Sequence, residues 1–180
     1  MKHFYENIGE DFFDYADLYK SIITHFPDGS HFVEVGSWKG RSASFMAVEI
    51  INSRKRIQFD CVDTWDGSEE HDLTDKPKDW LYHEFRKNIL PVSEYINPIR
   101  STSVDASHLY DNRSLDFVFI DAAHDYENVK ADIVHWYPKV KLGGVIAGHD
   151  YPHWSGVKRA VDEIFPNVIP TSKNCWMIRK

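Results

Sequence analysis

Basic residues are in short supply in this chain. It carries 21 Lys and Arg against 28 Asp and Glu, a formal net charge of −7, and shows no basic stripe. That balance excludes a general nucleic-acid binder. Cysteine is scarcer still, with Cys61 and Cys175 alone. Both sit in apolar, strand-like runs, so they read as free buried thiols of a reducing cytoplasm and not as a disulfide framework. No apolar run approaches the ~20 residues of a membrane helix, and Met1 to Glu10 is too polar and acidic for a signal peptide. Internal repeats, low-complexity tracts and linkers are absent. So is Gly-x-x-x-x-Gly-Lys-Ser/Thr, which excludes a P-loop. Gly-x-Gly-x-x-Gly is missing too, which argues against a dinucleotide fold.

What remains is one globular domain of 180 residues, 42% hydrophobic and 27% charged, with a single core. Apolar residues recur at helical spacing from Phe12 to Phe26, ended by Pro27-Asp28-Gly29-Ser30. From there strands and helices alternate. Strands are expected at 31–35, 57–62, 98–100, 115–120 and 143–147, and two short ones near 168 and at 175–178. Helices are expected between them, near 43–51, 80–90, 104–110, 126–137 and 157–164. This order implies an α/β, doubly wound, mainly parallel sheet of seven strands, with one antiparallel strand near the C-terminus. A helical segment over 1–29 would pack on it. The only irregular stretch is Asp63 to Asp79, with seven acidic residues, a candidate lid at the carboxyl end of a strand. Aromatics reach 14%, with six Trp, and ten His are present. Trp65, Trp80 and Trp154 fall in polar stretches, which suggests a pocket lining.

Two strand tips carry the first chemical signal. In Val33-Glu34-Val35-Gly36-Ser37-Trp38-Lys39-Gly40-Arg41-Ser42, Gly36 permits a sharp turn, and the following helix start offers free N–H groups to an anionic or zwitterionic ligand. The next strand ends in Asp63, where a carboxylate can accept two ribose hydroxyls.

These blocks, with Val62-Asp63-Thr64-Trp65, Phe119-Ile120-Asp121-Ala122-Ala123-His124-Asp125-Tyr126 and Gly143-Gly144-Val145-Ile146-Ala147-Gly148-His149-Asp150-Tyr151, resemble class I S-adenosylmethionine-dependent methyltransferases. The nearest likeness is the small O-methyltransferase branch related to macrolide-sugar methyltransferases, and it extends from about Phe12 to the end. The resemblance implies a Rossmann-like fold over residues 1–180 and S-adenosylmethionine as cofactor. It places Gly36, Ser37, Gly40 and Ser42 around the amino-acid part of the cofactor, supported by Glu34. Asp63 would hold the ribose, flanked by Thr64 and Trp65, and the adenine would lie near Ser103, Val104 and Asp105. A small-molecule acceptor methylated at a hydroxyl, a sugar or natural product among the candidates, completes the expectation, with no nucleic-acid or membrane partner and with a second copy of the chain as a candidate neighbour.

Asp121 ends the strongest apolar strand, and His149 and Asp150 end the next, so they converge beside the transferred methyl. Asp121, His149 and Asp150 could hold Mg²⁺ or another divalent cation. His124 or His149 could instead take the hydroxyl proton, with Asp121 beside them. The related sugar methyltransferases have an acid where this chain has His149, and histidine favours softer ions than Mg²⁺. His153 and Trp154 would border the pocket. Phe12, Asp14, Tyr15 and Tyr19 could cross its mouth, although a core-packed helix is the better reading of that face. Two rivals stand beside the enzyme: a cofactor-binding module without transfer activity, and a nucleotide-dependent oxidoreductase.

Overall fold

The computed structural model describes residues 1–10, 12–67, 73–171 and 174–180. Seven strands form one sheet in the order β3-β2-β1-β4-β5-β7-β6. They are β1 (His31–Val35), β2 (Gln58–Asp63), β3 (Asn97–Arg100), β4 (Leu115–Ile120), β5 (Val140–Gly148), β6 (Ile169–Pro170) and β7 (Trp176–Arg179). Six of these have four residues or more. The seventh, β6, is only two residues, because proline has no N–H to extend a ladder. Of the seven strands expected from sequence, six are four residues or longer and the seventh is a two-residue remnant. β1 to β5 pair in parallel, and β7 alone runs against them, between β5 and β6.

Side-chain alternation along the strands builds two cores. Phe32 of β1, Phe59 and Cys61 of β2, and Phe117 and Phe119 of β4 pack under α1 (Ala16–His25), α2 (Arg41–Ser53) and α3 (Trp80–Asn88). Val33, Val35, Val118, Ile120 and Ile146 pack under α4 (Ser103–Ser107), α5 (Tyr126–Trp136) and α6 (Ser155–Ile164). A sheet covered on both faces explains the near-continuous apolar strands. Cys61 and Cys175 are buried and free. No helix among the described residues is long and apolar enough to cross a membrane.

Two boundaries differ from the sequence reading. α1 starts at Ala16, and Phe13 and Tyr15 are buried ahead of it while Phe12 is exposed. β5 starts at Val140, because its pairing with β4 shifts register between Leu115 and Phe117 and lets the strand pass through Gly143 at φ 82°. The parallel order brings the carboxyl ends of β1, β2, β4 and β5 to one edge, where Gly36, Asp63, Asp121 and His149-Asp150 follow directly.

Candidate active site

The β1 tip is shaped by backbone. Gly36 sits at φ 88°, and a Cβ there would come within 1.9 Å of the Asp121 carbonyl oxygen, so no larger residue fits. The Gly36 N–H donates to Val62 O (2.8 Å), and the Asp121 N–H donates to Val35 O (2.8 Å). Gly40, also left-handed at φ 84°, starts α2, where a side chain would strike Ile89 and Phe85. Asp63 then braces the loop. Its Oδ2 accepts from the Ser37 N–H (3.0 Å) and the Trp38 N–H (2.9 Å), and its Oδ1 accepts from the Trp65 N–H (2.7 Å). Burial still pushes the Asp63 carboxyl above its ordinary range, against those three donors. The expected ribose acid is thus also the strut of the glycine loop.

Glu34 is fully buried beneath this loop. Burial pushes its carboxyl up to about 7, against the hydroxyl of Tyr19, which donates to Oε2 at 2.7 Å. Glu34 Oε1 and Ser37 Oγ, on either side of Gly36 in the chain, are buried without a well-aligned hydrogen bond, as is Ser44 Oγ, although Ser37 and Ser42 lie near enough to Glu34 to favour its ionised form. Such atoms are costly to bury unless a ligand satisfies them. Ser42 is buried in the first turn of α2.

The flanking expectations divide. Trp65 is not a pocket wall: its indole is 1% exposed, packs against Tyr82 and Phe85, and donates to Trp38 O (2.9 Å). Thr64 is tied up locally, with Oγ1 accepting from the Asp66 N–H and its carbonyl accepting from Arg100. Trp80 opens α3, half-buried, with Lys39 and Lys76 over its ring. Arg100 pairs with Asp66 (3.3 Å) and Asp79 (2.5 Å), so the described flanks of the candidate lid are fastened to β3; residues 68–72 lie outside the described residues. Ser103 and Val104 are half-buried at the start of α4, with Ser103 Oγ accepting from Trp136 Nε1 (2.9 Å), and Asp105 is exposed.

The β4 and β5 tips are built from charge instead. His124 Nε2 lies 2.9 Å from Asp150 Oδ2, and its ring stacks on Trp154 at 4.3 Å and 17°. Asp150 is held at φ 64°, a strained position for a non-glycine residue that aims its carboxylate between two imidazoles. His149 Nδ1 faces Asp150 Oδ1 (3.4 Å) and Asp121 Oδ1 (3.7 Å), while its Nε2 reaches Asp14 Oδ1 (3.0 Å). Burial alone would lower the His149 pKa, but its carboxylate neighbours raise it to about 9. Burial opposes ionisation of Asp150, yet its bonds to His124 and His149 hold its carboxyl well below the usual range. Burial pushes Asp121 the other way, upward, although His149 counters it. Ligand atoms of Asp121, His124 and Asp150 all lie within 4.8 Å of one another. His153, expected at the pocket border, is exposed.

Two site residues come from far away in the chain. Tyr15 is 3% exposed and donates its hydroxyl to Asp121 Oδ2 at 2.8 Å, and Asp14 holds His149. The N-terminal face therefore packs in the core and reaches the site as well. The signal was present in sequence as Tyr15 and Tyr19, one helical turn apart, each an apolar body with a polar tip.

A family model described as a methyltransferase domain matches residues 33–151. The uncharacterized protein y4gI of Sinorhizobium fredii is 26% identical over 118 residues, 66% of this chain and 13% of that protein. The chain thus spans about an eighth of the length of that curated relative. Among solved structures, the O-methyltransferase NovP superposes with a TM-score of 0.68 at 18% identity, over 92% of this chain and 78% of its own. An O-methyltransferase from Bacillus cereus, in complex with SAH, gives 0.61 at 17% identity over the same two shares. Likeness at these identities concerns the fold.

Proposed function

We propose, for a chain that belongs to the methyltransferase domain family, that it moves a methyl group from S-adenosylmethionine to a hydroxyl of a small-molecule acceptor. The observation that carries this reading is the His124–Asp150 pair standing on the same sheet edge as the Gly36 cradle. The cradle fits the cofactor: Gly36 leaves the space a Cβ would fill, and Glu34 Oε1 and Ser37 Oγ are buried polar atoms without a well-aligned hydrogen bond. The SAH complex of the Bacillus cereus enzyme, which shares the fold, supports the same choice. Glu34, Gly36, Ser37, Gly40 and Ser42 would hold the amino-acid part, Asp63 the ribose, and Ser103 and Val104 the adenine. When bound, S-adenosylmethionine supplies an electrophilic methyl group on a sulfonium.

The chain's own residues then divide the work. His124 accepts the proton of the attacking hydroxyl, and Asp150 orients the imidazole and stabilises its charged form. His149, a base candidate by sequence, is unsuited to that role. Both of its nitrogens face carboxylates, and at neutral pH it is already protonated. It serves as a fixed positive charge between Asp14, Asp121 and Asp150. In place of the metal set expected as Asp121, His149 and Asp150, the ligand atoms that come together are those of Asp121, His124 and Asp150.

A second reading rests on the spacing of Asp121, His124 and Asp150. Two carboxylates and an imidazole suit a divalent cation, with Mn²⁺ or Zn²⁺ better matched than Mg²⁺, and such an ion would polarise the acceptor hydroxyl. Calorimetry should show binding of S-adenosylmethionine and SAH but none of NAD, which also separates a methyltransferase from an oxidoreductase. Turnover that survives chelator supports His124 as the base. Turnover lost to chelator and restored by Mn²⁺ supports the cation. Binding without turnover on any acceptor supports the binding-module rival.

A further inference from the structure

Beside His124 the surface opens into a cleft of about 470 Å³, lined by His124, Asp125, Tyr126, Trp154, Ser155, Gly156 and Arg159. That is room for a ring and its substituents. The cleft exists because α5 and α6 begin side by side. A Cβ on Gly156 would lie 2.3 Å from the His124 carbonyl oxygen and 2.7 Å from the Tyr126 nitrogen, so only glycine lets the two helix starts close up and form one wall. Trp154 is 42% exposed even though His124 stacks on it, leaving indole surface open to the cleft.

Charge separates Arg159 from its neighbours. Lys158 pairs with Asp162 and Lys130 with Glu163 (2.8 Å). Asp125 is spent on the start of α5, accepting from the Asn128 N–H (3.1 Å) and Asn128 Nδ2 (2.7 Å). Arg159 makes no ion pair within 4 Å among the described residues, although its charge reaches Glu163, which is bonded to the Tyr126 hydroxyl; its guanidinium carbon lies 3.9 Å from the Tyr126 ring centroid. A guanidinium held over a ring and lining a cleft is suited to bidentate recognition of a carboxylate or phosphate.

We propose that this cleft is the acceptor subsite and that Arg159 binds a carboxylate or phosphate carried by the acceptor, whose ring lies against Trp154 with its hydroxyl at His124. The inference rests on the methyltransferase reading and names its substrate class. None of the described residues of the acidic 63–79 segment, which would repel such a molecule, lines this cleft.

The test uses SAH-loaded protein and matched probes: 3,4-dihydroxybenzoate against catechol, and glucose 6-phosphate against glucose. Binding is read from tryptophan fluorescence, and methyl transfer from S-adenosylmethionine is followed in parallel. At least one anionic member should bind more tightly than its neutral partner, and the pair that responds tells carboxylate from phosphate. Arg159→Met should weaken that member by roughly 10- to 100-fold, Arg159→Lys by less, with binding of the neutral partner and of SAH unchanged. Anionic probes that bind no better than neutral ones, or that bind Arg159→Met as well as the parent, overturn the proposal. Failure to bind SAH at all overturns the methyltransferase reading instead.

Discussion

The two halves of the sheet edge are made by different means. At the β1 and β2 tips, the cradle is set by glycines in left-handed backbone and by amides that donate to one carboxylate, Asp63. At the β4 and β5 tips, the arrangement depends on side-chain charges, with His149 between three carboxylates and His124 against one. A ligand that is the same for a whole class of reactions can be met by rigid backbone. An acceptor that differs from enzyme to enzyme calls for side chains, which can change without rebuilding the chain path. The halves touch where Gly36 packs on the Asp121 carbonyl.

That contact is the place to break the comparison most severely. Gly36→Ala puts a methyl group into the Asp121 backbone at a φ that alanine avoids. It should cost roughly 3 kcal/mol or more of stability and abolish SAH binding and turnover together, as read by thermal melting and calorimetry. A variant that melts like the parent and binds SAH would show that the β1 tip is adaptable. His124→Ala should separate the halves. Turnover should fall by roughly 10² to 10⁴ while SAH affinity holds, because no cradle residue is touched. Loss of SAH binding in that variant would mean that the two halves are one unit.

The cradle was the more legible half for a physical reason. Its geometry is encoded in residues that only a special backbone requires, Gly36 and Gly40, and in an acid at the end of an apolar run, Asp63. The charged half was legible in its local members, Asp121, His124, His149 and Asp150, while Asp14 and Tyr15 were named only as candidates to cross the pocket mouth, with a core-packed helix preferred. Their partners Asp14 and Tyr15 lie more than a hundred residues earlier in the chain, a separation that periodicity cannot bridge. Nor does strand pattern reveal which nitrogen of a histidine is already engaged: His149 looked like a base or a ligand, and both of its nitrogens face carboxylates. Trp65 misled in the opposite direction. A tryptophan in a polar stretch suggested a pocket, but its ring turns back under α3.

A smaller change sharpens the view of Asp63. Asp63→Ala removes both the strut and the proposed ribose acceptor, and SAH affinity should drop by roughly 10- to 100-fold, the loss of charged hydrogen bonds. Asp63→Asn retains one acceptor oxygen and should fall between. Equal affinity in all three proteins would refute the ribose assignment.

The gentlest probe is pH, because the buried carboxyls titrate in a lower window, Glu34 up to about 7 and Asp121 and Asp132 up to about 6, and His149 in an upper one near 9. Glu34 has a native pKa of about 7 against an ordinary 4.5. Between those values the folded chain holds a proton that the unfolded chain has released, so stability falls as pH rises from about 4.5 to about 7. His149 has a native pKa of about 9 against 6.5. Its contribution is complete below about 6.5 and is lost as pH rises through about 9. Melting temperature followed across both ranges should therefore show two declines. Glu34→Gln keeps an acceptor for Tyr19 and removes the ionisation, so it should reduce the lower decline, leaving the part due to Asp121 and Asp132, and leave the upper one. Asp14→Asn takes away one partner of the His149 imidazolium and leaves Asp150 and Asp121, so it should shrink the upper decline in part and leave the lower. Reduction of both declines by either variant would show that charge couples the cradle to the acceptor side, and the division between backbone-built and charge-built halves would fail.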